Sequence, residues 1–217
     1  MFRANFCMEN GLRLLFGAKP DEWEYSFKSL RLTTPIKVSY DIMDTIVKIW
    51  DIPTSPETTI WDMFAGIGRD SVTFLKAQWV VHSSEQDPAT FSILEKNMVS
   101  HTDPSSQYTL YNVDCTTIDI VPTICYMDPP WGPTFLPNTN FDFSKIVISG
   151  IPVLTIIREL LTKVQYLVIK TPWNCDTLDV FHSHVYENPE RRLKVYFIRS
   201  MSFKNDHNPH EIDTDDI

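Results

Sequence analysis

Asp62-Met63-Phe64-Ala65-Gly66-Ile67-Gly68 closes a short β-rich run that begins at Thr59, and a helical pattern from Arg69 to Gln78 starts directly behind it. A strand, a turn with two glycines and then a helix is the local plan of a parallel α/β sheet. Gly66 and Gly68 carry no Cβ, so the backbone there can come close to a ligand. The rest of the chain repeats the plan.

Upstream, Thr34-Pro35 reads as a hydroxyl N-cap with proline at the first helical position. Ile42, Met43, Ile46, Val47 and Trp50 then form one apolar face, and Pro53 and Pro56 end the helix. Downstream, Trp79 to Ser84 is a second strand, and Pro88 opens a helix with Phe91, Leu94 and Met98 on one side. Tyr108 to Val113 and Thr123 to Met127 are the third and fourth strands. A polar, proline-containing loop runs from Pro133 to Ser144. Pro152 begins a helix with Val153, Ile156, Ile157, Leu160 and Leu161 in register, and Tyr166 to Lys170 is a fifth strand. His184 to Glu187 and Leu193 to Arg199 read as an antiparallel pair at a sheet edge. The expected fold is a mostly parallel, seven-stranded sheet with helices on both faces. Residues 1–33 form an arm or a small helical extension. There Trp23, Tyr25 and Phe27 alternate with polar residues, as a short strand or a packed arm would. Residues 34–203 form the main domain, and 204–217 a frayed acidic tail whose histidines are solvated.

The chain has 217 residues, enough to bury one core. No apolar run approaches membrane-spanning length, and the N-terminus lacks a signal peptide's apolar core. The expected setting is intracellular, cytoplasmic or nuclear, with no membrane partner. Cys7, Cys115, Cys125 and Cys175 form no C-x-x-C pair, so we expect buried apolar thiols and no metal. With 19 Lys and Arg against 28 Asp and Glu, the formal charge is -9. Nonspecific nucleic-acid binders are usually basic, so a nucleic-acid substrate would be gripped at a small, specific feature.

The glycine turn gains weight from Glu85, at the end of the next strand, where a carboxylate can accept the ribose hydroxyls of an adenosine. Read alone, Glu85 is an exposed loop acid. No G-K-[ST] follows Gly68, which excludes a Walker triphosphate cradle. Asp62 would repel a pyrophosphate but suits the cationic amino-acid end of S-adenosylmethionine. Asp114 either meets the adenine edge or caps a helix. Candidate cofactor contacts are therefore Asp62, Phe64, Ala65, Gly66, Gly68, Glu85 and Asp114, with Asp128 between cofactor and substrate.

Asp128-Pro129-Pro130-Trp131-Gly132-Pro133 follows the fourth strand. A carboxylate and a backbone carbonyl that accept both hydrogens of an exocyclic amine can align its nitrogen for methyl transfer. The prolines stiffen the turn, and Trp131 offers a flat face for a base, with a cation–π contribution if the base is cationic. The plainer reading is a Pro-Pro loop with a packed tryptophan.

These stretches, with Glu85-Gln86-Asp87-Pro88, resemble the trimethylguanosine synthases, the RNA cap guanine-N2 methyltransferases, from about Thr34-Pro35 to Arg199. The resemblance implies a Rossmann-like class I S-adenosylmethionine-dependent methyltransferase fold. The implied reaction is methylation of the 2-amino group of a 7-methylguanosine cap, on capped RNA or a cap nucleotide. It assigns stacking to Trp131 and the amine to Asp128 and the Pro129 carbonyl. Lys37 falls where the family places a lysine near the cap phosphates, though it also reads as an exposed helix lysine. Pro133 and Asn174 complete the implied substrate site. The family's P-P-W-G-G-P is one glycine short here, Pro172-Trp173-Asn174 stands for P-R-N, and Arg69-Asp70 is bulkier than usual. The chain reads as a compact, divergent member, compatible with a viral source. The alternatives are an exocyclic-amine methyltransferase for guanine or adenine inside RNA or DNA, and a non-catalytic cap-binding module.

Overall fold

The computed structural model describes residues 10–131, 140–181 and 183–203. Pro133, Cys7 and the acidic tail lie outside them.

Helix α1 (Ile36–Trp50) leads into strand β1 (Thr59–Asp62), α2 (Arg69–Lys76), β2 (Val80–Ser84), α3 (Pro88–His101), β3 (Tyr108–Tyr111) and β4 (Ile124–Met127). After a small hairpin, Val147–Ile148 with Ile151–Pro152, come α4 (Val153–Lys163), β5 (Tyr166–Pro172), β6 (Ser183–Asn188) and β7 (Leu193–Arg199). The seven strands lie in the order β3-β2-β1-β4-β5-β7-β6. The first five are parallel, and β7 runs antiparallel to both β5 and β6. This is the expected sheet with its antiparallel edge hairpin.

Both faces of the central strands are buried, and alternate residues serve different cores. Ile60, Tyr126, Val168 and Phe197 join α1, α2 and α3. Trp61, Cys125, Met127, Leu167, Ile169 and Ile198 join α4 and Phe143 on the other side. Cys115, Cys125 and Cys175 are buried thiols. No helix among the described residues is long and apolar enough to cross a membrane.

Several boundaries differ from the sequence reading. Thr34 does not cap α1: Pro35 holds the N-cap position with ψ 138°, and Thr34 turns its hydroxyl inward. A residue preceding proline is disfavoured in helical geometry, so Thr34 stays outside the helix. Helix α1 ends at Asp51 in the left-handed conformation, before Pro53 is reached. Strand β5 continues past Lys170 to Pro172 because it pairs with β7 along that whole length. The loop after Pro133 is less polar than it reads, since Phe141 and Phe143 are buried.

Trp23, Tyr25 and Phe27 form no strand. Ser26 starts a capped turn at Phe27–Leu30, with reciprocal bonds to Ser29. Phe16 stacks between Trp23 and Tyr25, while Trp23 stacks on His101 at 4.0 Å and lies under the Arg69 guanidinium at 4.7 Å. Asn97 of α3 fastens this segment to the glycine turn. Its Oδ1 accepts from the Glu24 amide at 2.8 Å, and its Nδ2 donates to the Glu24 and Ile67 carbonyls, both at 2.9 Å.

Candidate active site

The chain leaves β1 toward β2 on one side, while β4 lies on the other. Such a switch point opens a crevice at the carboxyl ends of the strands. Asp62 ends β1, and Asp128 follows β4 directly. The order of strands therefore brings these two carboxylates together from distant parts of the chain.

The glycine turn is anchored from β2. The Ser84 carbonyl accepts from the Ala65 amide at 2.9 Å. The Ser84 hydroxyl accepts from Trp61 Nε1 and donates to the Met63 carbonyl. Gly66 has φ 53°, and a Cβ built there meets nothing within 4 Å, so it borders open space. Gly68 has φ 90° and caps α2, but its missing Cβ would lie 2.7 Å from Leu94 Cδ1. The two glycines have different jobs: one faces outward to a ligand, and the other lets α2 pack on α3.

Asp62 is 1% exposed. Its Oδ2 accepts from Ser71 at 2.6 Å, and Ser71 accepts in turn from Ser83 at 2.9 Å. Oδ1 is buried with no hydrogen-bond donor among the described residues. Burial, with Asp70 nearby, pushes the Asp62 carboxyl up to about 8. Just past the adjoining end of β2, burial raises Glu85, against the pull of the Asp87 and Gly66 backbone amides. Phe64 packs on the α4-side core. Asp114 caps the turn Cys115–Thr117, taking Thr116 on Oδ1 and Ser149 on Oδ2. Burial acts to raise it, but the Ser149 and Thr116 bonds hold it below the usual carboxylate range. Its capping role is the one visible in the structure.

An acid whose folded value lies above its unfolded one keeps its proton longer in the native state. For Asp62, with 3.8 as the unfolded reference and about 8 in the fold, stability should fall as pH rises through that window. Thermal melts of cofactor-free protein across the window should show this decline, and Asp62→Asn should flatten it. A melting temperature that rises with pH there would contradict the environment described for Asp62.

Asp128 Oδ2 accepts a hydrogen bond from Lys170 Nζ, with side chains 16% and 5% exposed. Burial pushes the Asp128 carboxyl up to about 6, against the pull of the Lys170 ammonium. Pro129 is buried and Pro130 exposed. Trp131 is half-buried and touches both cores, at the end of the sheet. Lys37 stands apart from this cluster: its side chain is 81% exposed and paired with Asp41 at 2.8 Å. Asn174 is buried behind β5, where its carbonyl accepts from the Phe141 amide.

The sequence reading missed Lys170, Asp70 and Tyr126. Lys170 gave one signal, a lone charge directly after the apolar run Tyr166 to Ile169. Buried lysines are rare without a partner.

A cationic, adenosine-bearing group fits these residues. The unsatisfied Asp62 oxygen calls for a donor, Gly66 leaves room for it, and Glu85 lies at the adjoining strand end. Among the described residues, no cluster of His, Cys, Asp or Glu could hold a metal ion.

A family model described as RNA cap guanine-N2 methyltransferase matches residues 57–206. The chain belongs to the RNA cap guanine-N2 methyltransferase family. The match begins just before β1 and includes both the glycine turn and Asp128 to Trp131. No curated protein matches the chain. Among solved structures, the human methyltransferase 10 domain containing protein is 13% identical, with a TM-score of 0.61, covering 88% of this chain and 97% of that one. The T. thermophilus 16S rRNA N2 G1207 methyltransferase, solved with AdoMet and guanosine, is 13% identical with a TM-score of 0.53, covering 85% and 45%. A SAM-dependent methyltransferase from Neisseria gonorrhoeae is 18% identical with a TM-score of 0.53, covering 73% and 72%. At such identities the likeness is one of fold. This member of the cap guanine-N2 family has the Rossmann-like fold of S-adenosylmethionine-dependent methyltransferases, and S-adenosylmethionine is the cofactor of that class.

Proposed function

We propose that the protein transfers a methyl group from S-adenosylmethionine to the 2-amino group of a 7-methylguanosine cap, as the trimethylguanosine synthases do. The observation that carries this reading is Asp128 at the switch point, next to Asp62 and followed by Pro129 and Trp131. Asp62, Gly66 and Glu85 would hold the cofactor, which supplies an electrophilic methyl group when bound.

The amine lone pair of guanine is delocalised into the ring, so the nitrogen is a weak nucleophile. Asp128 and the Pro129 carbonyl accept its two hydrogens and fix the nitrogen in line, a gain of orientation and preorganised charge. Trp131 stacks the base. Residues 34–203 make up the transferase domain in this reading, with 1–33 as its arm. The formal charge of -9 favours a compact cap over a long nucleic-acid groove.

The test is transfer from labelled S-adenosylmethionine to 7-methylguanosine triphosphate, with GTP and uncapped RNA alongside. Transfer to the 7-methylated nucleotide alone supports the proposal. Transfer to uncapped RNA alone would replace it with methylation of guanine within RNA, the reaction for which the T. thermophilus neighbour is named. Trp131→Ala should raise KM for the cap nucleotide roughly ten- to a hundredfold, since stacking on an aromatic contributes about 1–3 kcal/mol per base. Unchanged KM would remove Trp131 from the base site.

A further inference from the structure

The parallel register of β4 and β5 pairs Met127 with Ile169, so the next residues along, Asp128 and Lys170, meet side by side. Lys170 Nζ donates to Asp128 Oδ2 and, at 2.7 Å, to Thr34 Oγ1. Having accepted that bond, the Thr34 hydroxyl donates to Asp70 Oδ2 at 2.6 Å. The Tyr126 hydroxyl donates to the same oxygen at 3.2 Å. The sense of the chain is thereby fixed: Asp70 accepts, Thr34 passes the bond on, and Lys170 presents its ammonium to Asp128. No hydrogen bond from the described residues reaches Asp128 Oδ1.

We infer that Lys170 is a positioning residue for methyl transfer, tethered by Thr34 and Asp70 so that it occupies one oxygen of Asp128 and leaves the other for the substrate amine. This rests on the role proposed for Asp128 above. The alternative is that Lys170 only neutralises buried acids and keeps the fold intact.

The surrounding charges separate the two roles. Asp128 is faced by Lys170 and Asp70, Lys170 also feels Asp62, and Arg69 lies close to Asp70. Asp62, Asp70 and Asp128 therefore surround one buried ammonium, with the Arg69 guanidinium beside Asp70. Without that ammonium, desolvation and the neighbouring acids would drive Asp128 to its protonated form, which donates a hydrogen where the amine needs an acceptor. An intact ammonium without its tether would leave the charge of Asp128 in place and disturb its aim.

The test compares wild type with Lys170→Met, Lys170→Arg, Thr34→Val and Asp128→Asn, using transfer to 7-methylguanosine triphosphate as a function of pH. Carbon-13 NMR of the Asp128 carboxyl in cofactor-free protein runs in parallel. Lys170→Met should lower kcat about 100-fold at neutral pH, the scale of an ångström-sized misplacement. Its acid limb and the Asp128 titration should both move up by about 1–3 pH units, the effect expected on losing an adjacent opposite charge. Lys170→Arg should return both titrations toward wild type. Thr34→Val should lower kcat with the acid limb unmoved. If Lys170→Met does not fold, Lys170→Arg and Thr34→Val decide the matter, and wild-type kcat in both overturns the inference. Wild-type titrations in Lys170→Met also overturn it, even where Asp128→Asn is inactive. Full activity of Asp128→Asn would remove the reading of Asp128 itself, and this inference with it.

Discussion

Asp128→Asn should lower kcat by about 10²–10³-fold, the loss typical of removing one preorganised partner of the reacting group. The substitution preserves shape, so its effect is chemical. An asparagine has one acceptor oxygen and one NH₂ donor. If the amide oxygen takes the Lys170 ammonium, as Asp128 Oδ2 does now, the NH₂ faces the substrate amine, donor against donor. If the amide flips, its NH₂ faces Lys170 instead. Neither orientation serves both neighbours. Asp62, Gly66 and Glu85 are untouched, so cofactor affinity should stay close to wild type. Steady-state kinetics and a cofactor titration on the same preparation would check both halves. A loss in kcat below about tenfold would mean that the carboxylate does not touch the reacting amine.

Gly68→Val should destabilise the protein by about 2–5 kcal/mol, combining roughly 1–2 kcal/mol for a side chain at positive φ with about 1–3 kcal/mol for overpacking. The new Cβ would lie 2.7 Å from Leu94 Cδ1, so the fully buried Leu94 side chain would have to shift. Gly66→Ala provides the contrast. It has φ 53° and open space at the Cβ position, so only the conformational cost of about 1–2 kcal/mol applies. That variant should fold and bind cofactor poorly, because the methyl fills the open space that the glycine turn leaves for a ligand. Denaturant melts and a cofactor titration of both variants would separate the packing glycine from the binding one. Equal stability losses at the two positions would refute the distinction.

The sheet was largely legible because its strands are short, apolar and separated by clear turn residues, and because β1, the glycine turn and α2 adjoin in sequence. Asp62 and Asp128 could be proposed as partners from their motifs. What surrounds them could not, because it depends on long-range register. Thr34 looks like a helix cap in isolation, and only the packing of α1 against α2 shows that its hydroxyl goes to Asp70. Lys170 looks like the polar end of a strand until β7 extends β5 by two residues and encloses it. Lys37 is assigned near the cap phosphates by resemblance alone. The structure adds only that it is exposed and that Asp41, one helical turn on, is its partner. The aromatics from Trp23 to Phe27 alternate like a strand, yet Trp23 stacks with Phe16 and His101, partners no local pattern reveals.

The Asn97 amide belongs to two segments at once, bonding the Glu24 backbone with both ends of its amide and the Ile67 carbonyl with its nitrogen. One side chain of α3 therefore holds both the Glu24 backbone and the glycine turn, and a change in either should be felt by the other. Such coupling is reciprocal: any ligand that orders the turn tightens the hold on the arm by the same free energy that a docked arm returns to the ligand. If the turn holds the cofactor as proposed, the arm enters the cofactor's binding equilibrium without having to touch the cofactor.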